Sequence, residues 1–330
     1  MTTPAAPLRR WLAPLGHVYG AAMRLRNHAF ERGWLRVRRL PVRVVAVGNL
    51  SVGGTGKTPL VAWLVACARA RGVRVGVVAR GYGRAKGARW NDEGELLARR
   101  FPELPQEQDP DRVAAIERLL ARESLDLVLL DDGFQHRRVH RDFDVVCVDA
   151  SRPLERERIL PAGDLRESVS GLRRADAVVL TRAESIAAAQ IERQIEWLRA
   201  AARKRVAVFV AEHAPSGIVR ASDGKFVDPA TIAAVGVELL SSIARPESFL
   251  ATARSLGLRI VREHVYQDHH RHEQHAVERL VQDATARGHV VLTTEKDIVK
   301  MTPPPAGILV LRIDLRFRSP EPTASDLGIP

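Results

Sequence analysis

The chain has 330 residues, 27% of them charged, and a formal net charge of +12. That length exceeds a usual single core and predicts one large α/β domain with a smaller one. No apolar run approaches the ~20 residues that span a bilayer, and the N-terminus lacks the uninterrupted apolar stretch of a signal peptide, which excludes a helical membrane span and predicts a cytoplasmic protein. Cys67 and Cys147 sit in apolar segments with neither metal-site spacing nor the density of a disulfide scaffold, so both read as core thiols in a reducing compartment.

Residues 1–41 form a basic amphipathic segment. Leu8, Trp11, Leu12, Leu15, Val18, Tyr19, Ala22 and Met23 recur at helical spacing between arginines such as Arg9, Arg10, Arg24 and Arg26. A Trp- and Tyr-bearing apolar stripe with arginine flanks predicts a helix that lies on an anionic membrane surface. The plain alternative is a helix packed on its own domain with a solvated basic face.

From residue 42 short β-branched runs alternate with helical stretches. VRVVAVGN precedes a helix from Thr58 to about Arg71, and VRVGVVAR, a helix from Asp111 to about Arg122, DLVLLDD, FDVVCVDA, ADAVVLTR, a helix to about Arg203 and VAVFVA follow. This alternation predicts an α/β fold of the P-loop NTPase type, a mostly parallel sheet with helices on both faces, over residues 42–212. A Pro-Ser-Gly stretch at Pro215–Gly217 and a turn at Ser222-Asp223-Gly224 set a boundary near residue 213. Residues 213–330, with RIVREHVY, VVLTTEKD and ILVLRIDL, read as a smaller C-terminal α/β lobe, frayed from 319 onward.

Ser51-Val52-Gly53-Gly54-Thr55-Gly56-Lys57-Thr58 lies between the first strand and an apolar-periodic helix, the context of a phosphate-binding loop. Glycines let backbone N–H groups close around phosphate oxygens, and the helix N-terminus adds its positive dipole. Lys57 reaches the β and γ phosphates, and the Thr58 hydroxyl ligates Mg²⁺. Ser51 stands where a full G-x-x-x-x-G-K-[ST] has glycine. Asp131 and Asp132 end the apolar run Leu127–Leu130, where such proteins place the carboxylate beside the magnesium, and two adjacent strand residues face opposite ways. A guanine-recognition [NT]-K-x-D string is missing: in Thr294-Glu295-Lys296-Asp297 the Lys and Asp adjoin. ATP is therefore the expected nucleotide.

The strings VGNLSVGGTGKTPLV (47–61), RGYGR (80–84), DDGFQHRR (131–138), LPAGDLRES (160–168), RADAVVLTR (174–182), IARPESF (243–249), DHH (268–270) and TTEKDIVK (293–300) occur in that order. In this series the chain resembles the tetraacyldisaccharide 4'-kinases, over most of residues 40–300. Asp164, Ser168 and Ser242 replace a proline, a proline and a glycine of the family pattern. The stretch after RGYGR is shorter than is typical, and aligning its acid pair makes Asp92 the counterpart of the family's catalytic aspartate.

The resemblance implies transfer of the ATP γ-phosphoryl to the 4'-hydroxyl of a lipid-linked glucosamine disaccharide 1-phosphate, at the cytoplasmic face of a bacterial inner membrane. Such a reaction needs concentrated positive charge and a proton acceptor. Lys57 and Mg²⁺ supply the charge, with Thr58, Asp131, Asp132 and Glu167 holding the ion directly or through water and Arg166 neutralising the moving phosphoryl. Asp92 takes the substrate proton with His269 oriented against it. The histidines His264, His269, His270, His272 and His275 invite a zinc reading, but their spacing matches no zinc motif. A P-loop ATPase or GTPase switch is the rival class. Few aromatics interleave the arginines, which argues against a nucleic-acid partner, and no obligate protein partner is evident.

Overall fold

The computed structural model describes residues 11–85, 87–203, 206–268, 270–318 and 320–330. It divides into two compact units, each discontinuous in sequence. Unit one takes the chain up to Tyr82, then Glu103–His213 and Leu315–Pro330, and unit two takes Gly83–Pro102 and Ala214–Asp314. Residues 83–102, which the sequence reading places in the 42–212 core, thus belong with the later segment. The cause is packing: Leu96 joins the apolar cluster of Val277, Val281, Ile298 and Met301.

In unit one the strands β1 (Arg43–Gly48), β2 (Val75–Ala79), β3 (Gln106–Gln108), β4 (Leu127–Asp131), β5 (Phe143–Asp149), β6 (Ala177–Thr181) and the start of β7 (Ala207–Arg220) lie in the order β7-β6-β5-β1-β4-β2-β3. All these pairings are parallel. Val44–Val47, Leu127–Leu130 and Val145–Val148 are wholly buried, the unbroken apolar runs of strands covered on both faces. Helices α2 (Lys57–Ala70), α4 (Arg112–Arg122) and α5 (Ala188–Ala202) follow β1, β3 and β6. Cys147 is in this core, and burial pushes its thiol up to about 12, which leaves it inert at neutral pH.

The first helix, α1 (Ala13–Glu31), docks on unit one by one face. Gly16 and Gly20, four residues apart, bring its backbone against Ile159, where added Cβ atoms would lie 3.3 Å from the Ile159 carbonyl and 3.0 Å from its Cδ1. Tyr19 donates to the Arg166 carbonyl at 2.9 Å, and buried Phe30 carries Arg26 and Arg137 over its ring at 5.2 and 5.3 Å. The apolar stripe read from sequence therefore splits. Tyr19 and Met23 turn inward, Trp11, Leu15, Val18 and Ala22 remain exposed together with Leu25, and Leu8 lies outside the described residues. No helix among the described residues is long and apolar enough to cross a membrane.

The C-terminal residues correct the expectation of fraying. Leu327 and Ile329 are buried, and Arg43 donates to the Gly328 carbonyl at 2.9 Å, because the last apolar residues find a place on the unit-one core.

In unit two, β9 (Gly236–Ser241), β10 (Ile260–Val265), β11 (His289–Thr294) and β12 (Ile308–Phe317) pair in parallel in the order β10-β9-β11-β12, and β8 (Phe226–Val227) runs antiparallel to the end of β7. Helices α6 (Pro229–Ala233), α7 (Pro246–Ser255) and α8 (Gln274–Ala286) connect them, and α9 (Glu295–Ile298) is a single turn after β11. The segment 83–102 contributes α3 (Asp92–Arg100), a helix that the series of elements read from sequence leaves out. Asn91 starts it by accepting the Gly94 N–H at 3.0 Å, and three acids follow in its first turn, as the helix dipole favours.

Candidate active site

The loop after β1 has the backbone that phosphate binding requires. Gly53 and Gly56 sit at φ 98° and 81°, and α2 begins at Lys57 immediately afterward, so the unpaired N–H groups of its first turn open onto the loop. Ser51 needs no glycine, because it pairs in a single antiparallel bridge with Leu165. The Val52 N–H donates to the Asp164 carbonyl and the Arg166 N–H to the Leu50 carbonyl, both at 2.7 Å. These bonds lay the LPAGDLRES stretch beside the loop. From beneath, the Thr181 hydroxyl donates to the Thr55 carbonyl at 2.8 Å and Asn49 donates to the Thr55 hydroxyl at 2.9 Å.

Asp132 is the hub of the charges. Lys57 Nζ lies 3.4 Å from its Oδ1, and Arg166 Nη1 donates to both carboxylate oxygens at 2.9 and 2.7 Å. Burial pushes the Asp132 carboxyl up, but Lys57 and Arg166 outweigh it and hold the group below the ordinary carboxylate range. Asp131 closes β4 as a buried residue, and Asp132 follows it at φ 55°, a left-handed turn that separates the two carboxylates. Ionised oxygens at the strand end and the Thr58 hydroxyl in the first turn of α2 are hard donors of the kind Mg²⁺ takes. The donor set therefore fits the ion expected from sequence.

Glu167, the remaining candidate for the ion, sits among hydrogen-bond donors. It is buried, and its oxygens accept from Arg174 Nη2 (2.9 Å to each), from Asn27 on α1 (2.9 Å) and from Gln135 (2.9 Å). A carboxylate offers about four lone-pair sites, and all four are filled. Glu167 here is the acid that ties α1 and the DDGFQHRR turn to the phosphate loop. Arg174 also lies over the ring of wholly buried Phe134 at 4.5 Å, and the lack of a side chain at Gly48 makes room for Phe134.

Sequence reasoning did not single out Arg112, Asn27, Arg174 or the individual roles of Gln135 and His136. Arg112 opens α4 as a buried arginine. Burial lowers its pKa, Arg80 reinforces this, and the charges of Asp132 and Asp131 oppose it. His136 is pushed down to about 4 by burial, with Arg112 adding to it, and is neutral at physiological pH.

Unit two holds the remaining candidates. Asp92 is the first residue of α3 and is half-buried. His269 lies outside the described residues. Of the other histidines, His270 and His272 cluster with Tyr266, with ring centroids 4.8 to 5.0 Å apart, and His264 Nε2 donates to the Glu238 carboxylate at 2.8 Å. His275 pairs with Glu278 in solvent. Among the described residues no group of three or more His, Cys, Asp or Glu side chains is placed to hold a metal.

The tetraacyldisaccharide-1-P 4'-kinase family model matches residues 8–327. The chain belongs to the tetraacyldisaccharide-1-P 4'-kinase family. Curated relatives named tetraacyldisaccharide 4'-kinase include those of Syntrophotalea carbinolica, 37% identical over 95% of this chain and 90% of the relative, and of Geobacter sulfurreducens, 37% identical over 94% and 90%. A crystal structure of LpxK from Aquifex aeolicus in complex with ATP superposes with a TM-score of 0.78 at 26% identity, covering 97% of this chain and 98% of that one. The family match contains every string of the resemblance and the whole of α1.

Proposed function

We propose that this chain transfers the γ-phosphoryl group of ATP to the 4'-hydroxyl of a tetraacyldisaccharide 1-phosphate, with Mg²⁺, in lipid A biosynthesis. The observation that carries this reading is the grouping of Lys57 and Arg166 on Asp132 beside a phosphate loop whose glycines hold left-handed turns. Two fixed cations at the mouth of a helix N-terminus are the preorganised charge that a phosphoryl group needs as its terminal P–O bond breaks. The Thr58 hydroxyl and an oxygen of Asp131 or Asp132 would hold Mg²⁺, which would supply further positive charge to the phosphates. The hydroxyl oxygen of the sugar forms the new P–O bond, ADP leaves, and the hydroxyl proton passes to Asp92, with His269 as the partner of that carboxylate.

The exposed face of α1 suits a substrate that lives in a membrane. Trp11, Leu15, Val18 and Leu25 are 57 to 86% exposed, and Trp34 beyond the helix is 69% exposed, with Arg24, Arg32 and Arg36 exposed nearby. Apolar side chains with arginine flanks lie at the headgroup level of an anionic bilayer. The opposite face is tied through Asn27 to Glu167 and through Tyr19 to Arg166, so the helix that would meet the membrane also braces the phosphate loop. This reading places the protein peripherally on the inner membrane surface.

The test is to incubate the protein with γ-labelled ATP and, separately, water, a soluble glucosamine or the tetraacyldisaccharide 1-phosphate in detergent. Label on the lipid alone supports the assignment. Label released to water at an equal rate in all three mixtures would overturn it in favour of an ATPase.

A further inference from the structure

The string TTEKDIVK is part of the family resemblance, yet nothing in the phosphate chemistry above uses it. In unit two it forms the end of β11 and the single-turn helix α9, at the carboxyl edge of a parallel sheet, where α/β proteins place functional groups. Glu295 and Asp297 are two residues apart, so on a helix of 3.6 residues per turn they point about 200° away from each other. Each is taken up by a different buried network.

Glu295 faces α3. Arg100, the last residue of that helix, grips it as a fork: Nε donates to Oε1 at 2.6 Å and Nη2 donates to Oε2. Arg100 also reaches the Ile313 carbonyl and Asp314 on β12, and the Ile313 N–H donates to Glu295 Oε2 at 3.2 Å. The arginine and the glutamate side chains are 11 and 13% exposed. Burial acts to lower the Arg100 pKa, but Glu295 and Asp314 outweigh it and raise it. A bidentate arginine fork fixes orientation as well as distance. With Leu97 buried and Leu96 packed on the cluster that holds Ile298, α3 is held at its C-terminal end, and Asp92 is its first residue at the other end.

Asp297 faces the other way and is wholly buried. Its carboxylate accepts from the Ser242 N–H (3.0 Å), the Ser242 hydroxyl, the Thr294 hydroxyl (2.8 Å) and Lys300 Nζ (3.0 Å). Lys300, 6% exposed, also donates to the Ser242 hydroxyl at 3.0 Å and its carbonyl at 3.3 Å. The Ser242 oxygen lies 3.4 Å from the His270 carbonyl, and the Tyr266 N–H donates to the Ser241 carbonyl at 2.9 Å, so this network meets the chain at Tyr266 and His270. Ser242 stands where the family pattern has glycine, which gives this chain a hydroxyl in the network.

We infer that the turn Thr294–Lys300 is a bracket that positions Asp92, with Glu295 and Arg100 as positioning residues for the carboxylate at the start of α3 and with Asp297, Lys300 and Ser242 fixing the turn itself. The inference rests on the assignment of Asp92 and His269 as the proton-accepting pair. Buried ion pairs return little net stability for the desolvation they require, whereas a fully satisfied network confers a single geometry. Proton transfer is the step that such a geometry serves, because a displacement of about 1 Å at a reacting group costs on the order of 10²-fold in rate.

The experiment is a cycle of Glu295→Gln and Asp92→Asn in the full chain, with kcat on the lipid acceptor, KM for ATP and thermal unfolding measured for each. A neutral amide cannot hold the fork, so Glu295→Gln is expected to lower kcat about 10- to 100-fold with KM for ATP unchanged. In the Asp92→Asn background it is expected to add less than about twofold, since both act on one step. Arg100→Lys, which keeps the charge but loses the fork, gives an intermediate loss and serves if Glu295→Gln does not fold. A folded Glu295→Gln or Arg100→Lys protein with wild-type kcat overturns the bracket, as do losses that multiply in the double variant. If Asp92→Asn alone keeps its kcat, the base assignment itself falls and the bracket with it, an outcome the single variant separates from failure of the bracket alone.

Discussion

The two units solve the same problem, fixing charged groups at the carboxyl edge of a parallel sheet, by different means. Unit one does it with backbone: eight consecutive residues, Ser51–Thr58, place two left-handed glycines and a helix start, and Lys57 and Arg166 then need only one carboxylate, Asp132, to gather them. Unit two does it with groups drawn from α3, the residue after β9, the end of β11 and the turn that follows it, through the forks and multiple acceptors of Glu295 and Asp297. A backbone device is compact in sequence and is broken by changing one of a few adjacent residues. A side-chain device is scattered and loses function by degrees.

The largest expected effect tests the backbone device. Lys57→Ala removes a cation that no neighbour replaces in the same place, and kcat is predicted to fall by about 10³-fold or more while the unfolding temperature stays near wild type. Near-normal turnover in the folded variant would remove the phosphate-loop assignment. Asp92→Asn, in the side-chain device, is predicted to lower kcat by about 10²-fold with little change in KM for ATP, measured by steady-state kinetics on the lipid acceptor.

What the sequence makes legible follows the same division. The phosphate loop, the apolar strands around it and the acid pair Asp131-Asp132 are contiguous strings, so their chemistry could be read directly. Glu167 could be located but not understood, because its partners Asn27, Gln135 and Arg174 are brought to it by folding and no spacing rule connects them. The segment after RGYGR shows no strand or long helix in the sequence, since α3 is only nine residues long, and the packing of Leu96 and the Arg100 fork show that it belongs to unit two. In α1 the apolar stripe was visible, yet its division into a docked and an exposed face is set by Gly16 and Gly20, whose spacing of four marks a helix face that another backbone approaches closely.

Two smaller effects sharpen the comparison. Trp11, Leu15 and Val18 changed together to Ser are predicted to release the protein from sedimenting anionic vesicles, and salt is predicted to weaken binding of the wild type, as basic residues near such a surface contribute about 1 kcal/mol each at low ionic strength. Binding indifferent to both changes would leave α1 as a scaffold helix only. Glu238 tests unit two's dependence on buried acids. Burial pushes its carboxyl up, but His264, His289 and Arg287 outweigh it and hold it down to about 2. The folded state thus binds fewer protons there than the unfolded chain, so the stabilisation is complete above the ordinary carboxyl range, near pH 4.5, and is lost as pH falls toward 2. Glu238→Gln is predicted to lower the unfolding temperature by several degrees at neutral pH and to differ little from wild type near the bottom of that range. An equal deficit at every pH would show that packing, not charge, is what Glu238 supplies.

The proposed function divides the work: Lys57, Arg166 and the metal-holding oxygens act on the phosphoryl group, and Asp92 takes the proton. Its most direct test is a Mg²⁺ titration of kcat for Asp131→Asn and Asp92→Asn side by side, with ATP saturating and the lipid acceptor in detergent. Loss of a metal-side carboxylate weakens ion binding, so excess Mg²⁺ is predicted to restore part of the activity of Asp131→Asn, whereas Asp92→Asn stays at its reduced kcat at every concentration. Rescue of Asp92→Asn by Mg²⁺, or an identical response of the two variants, would contradict the division.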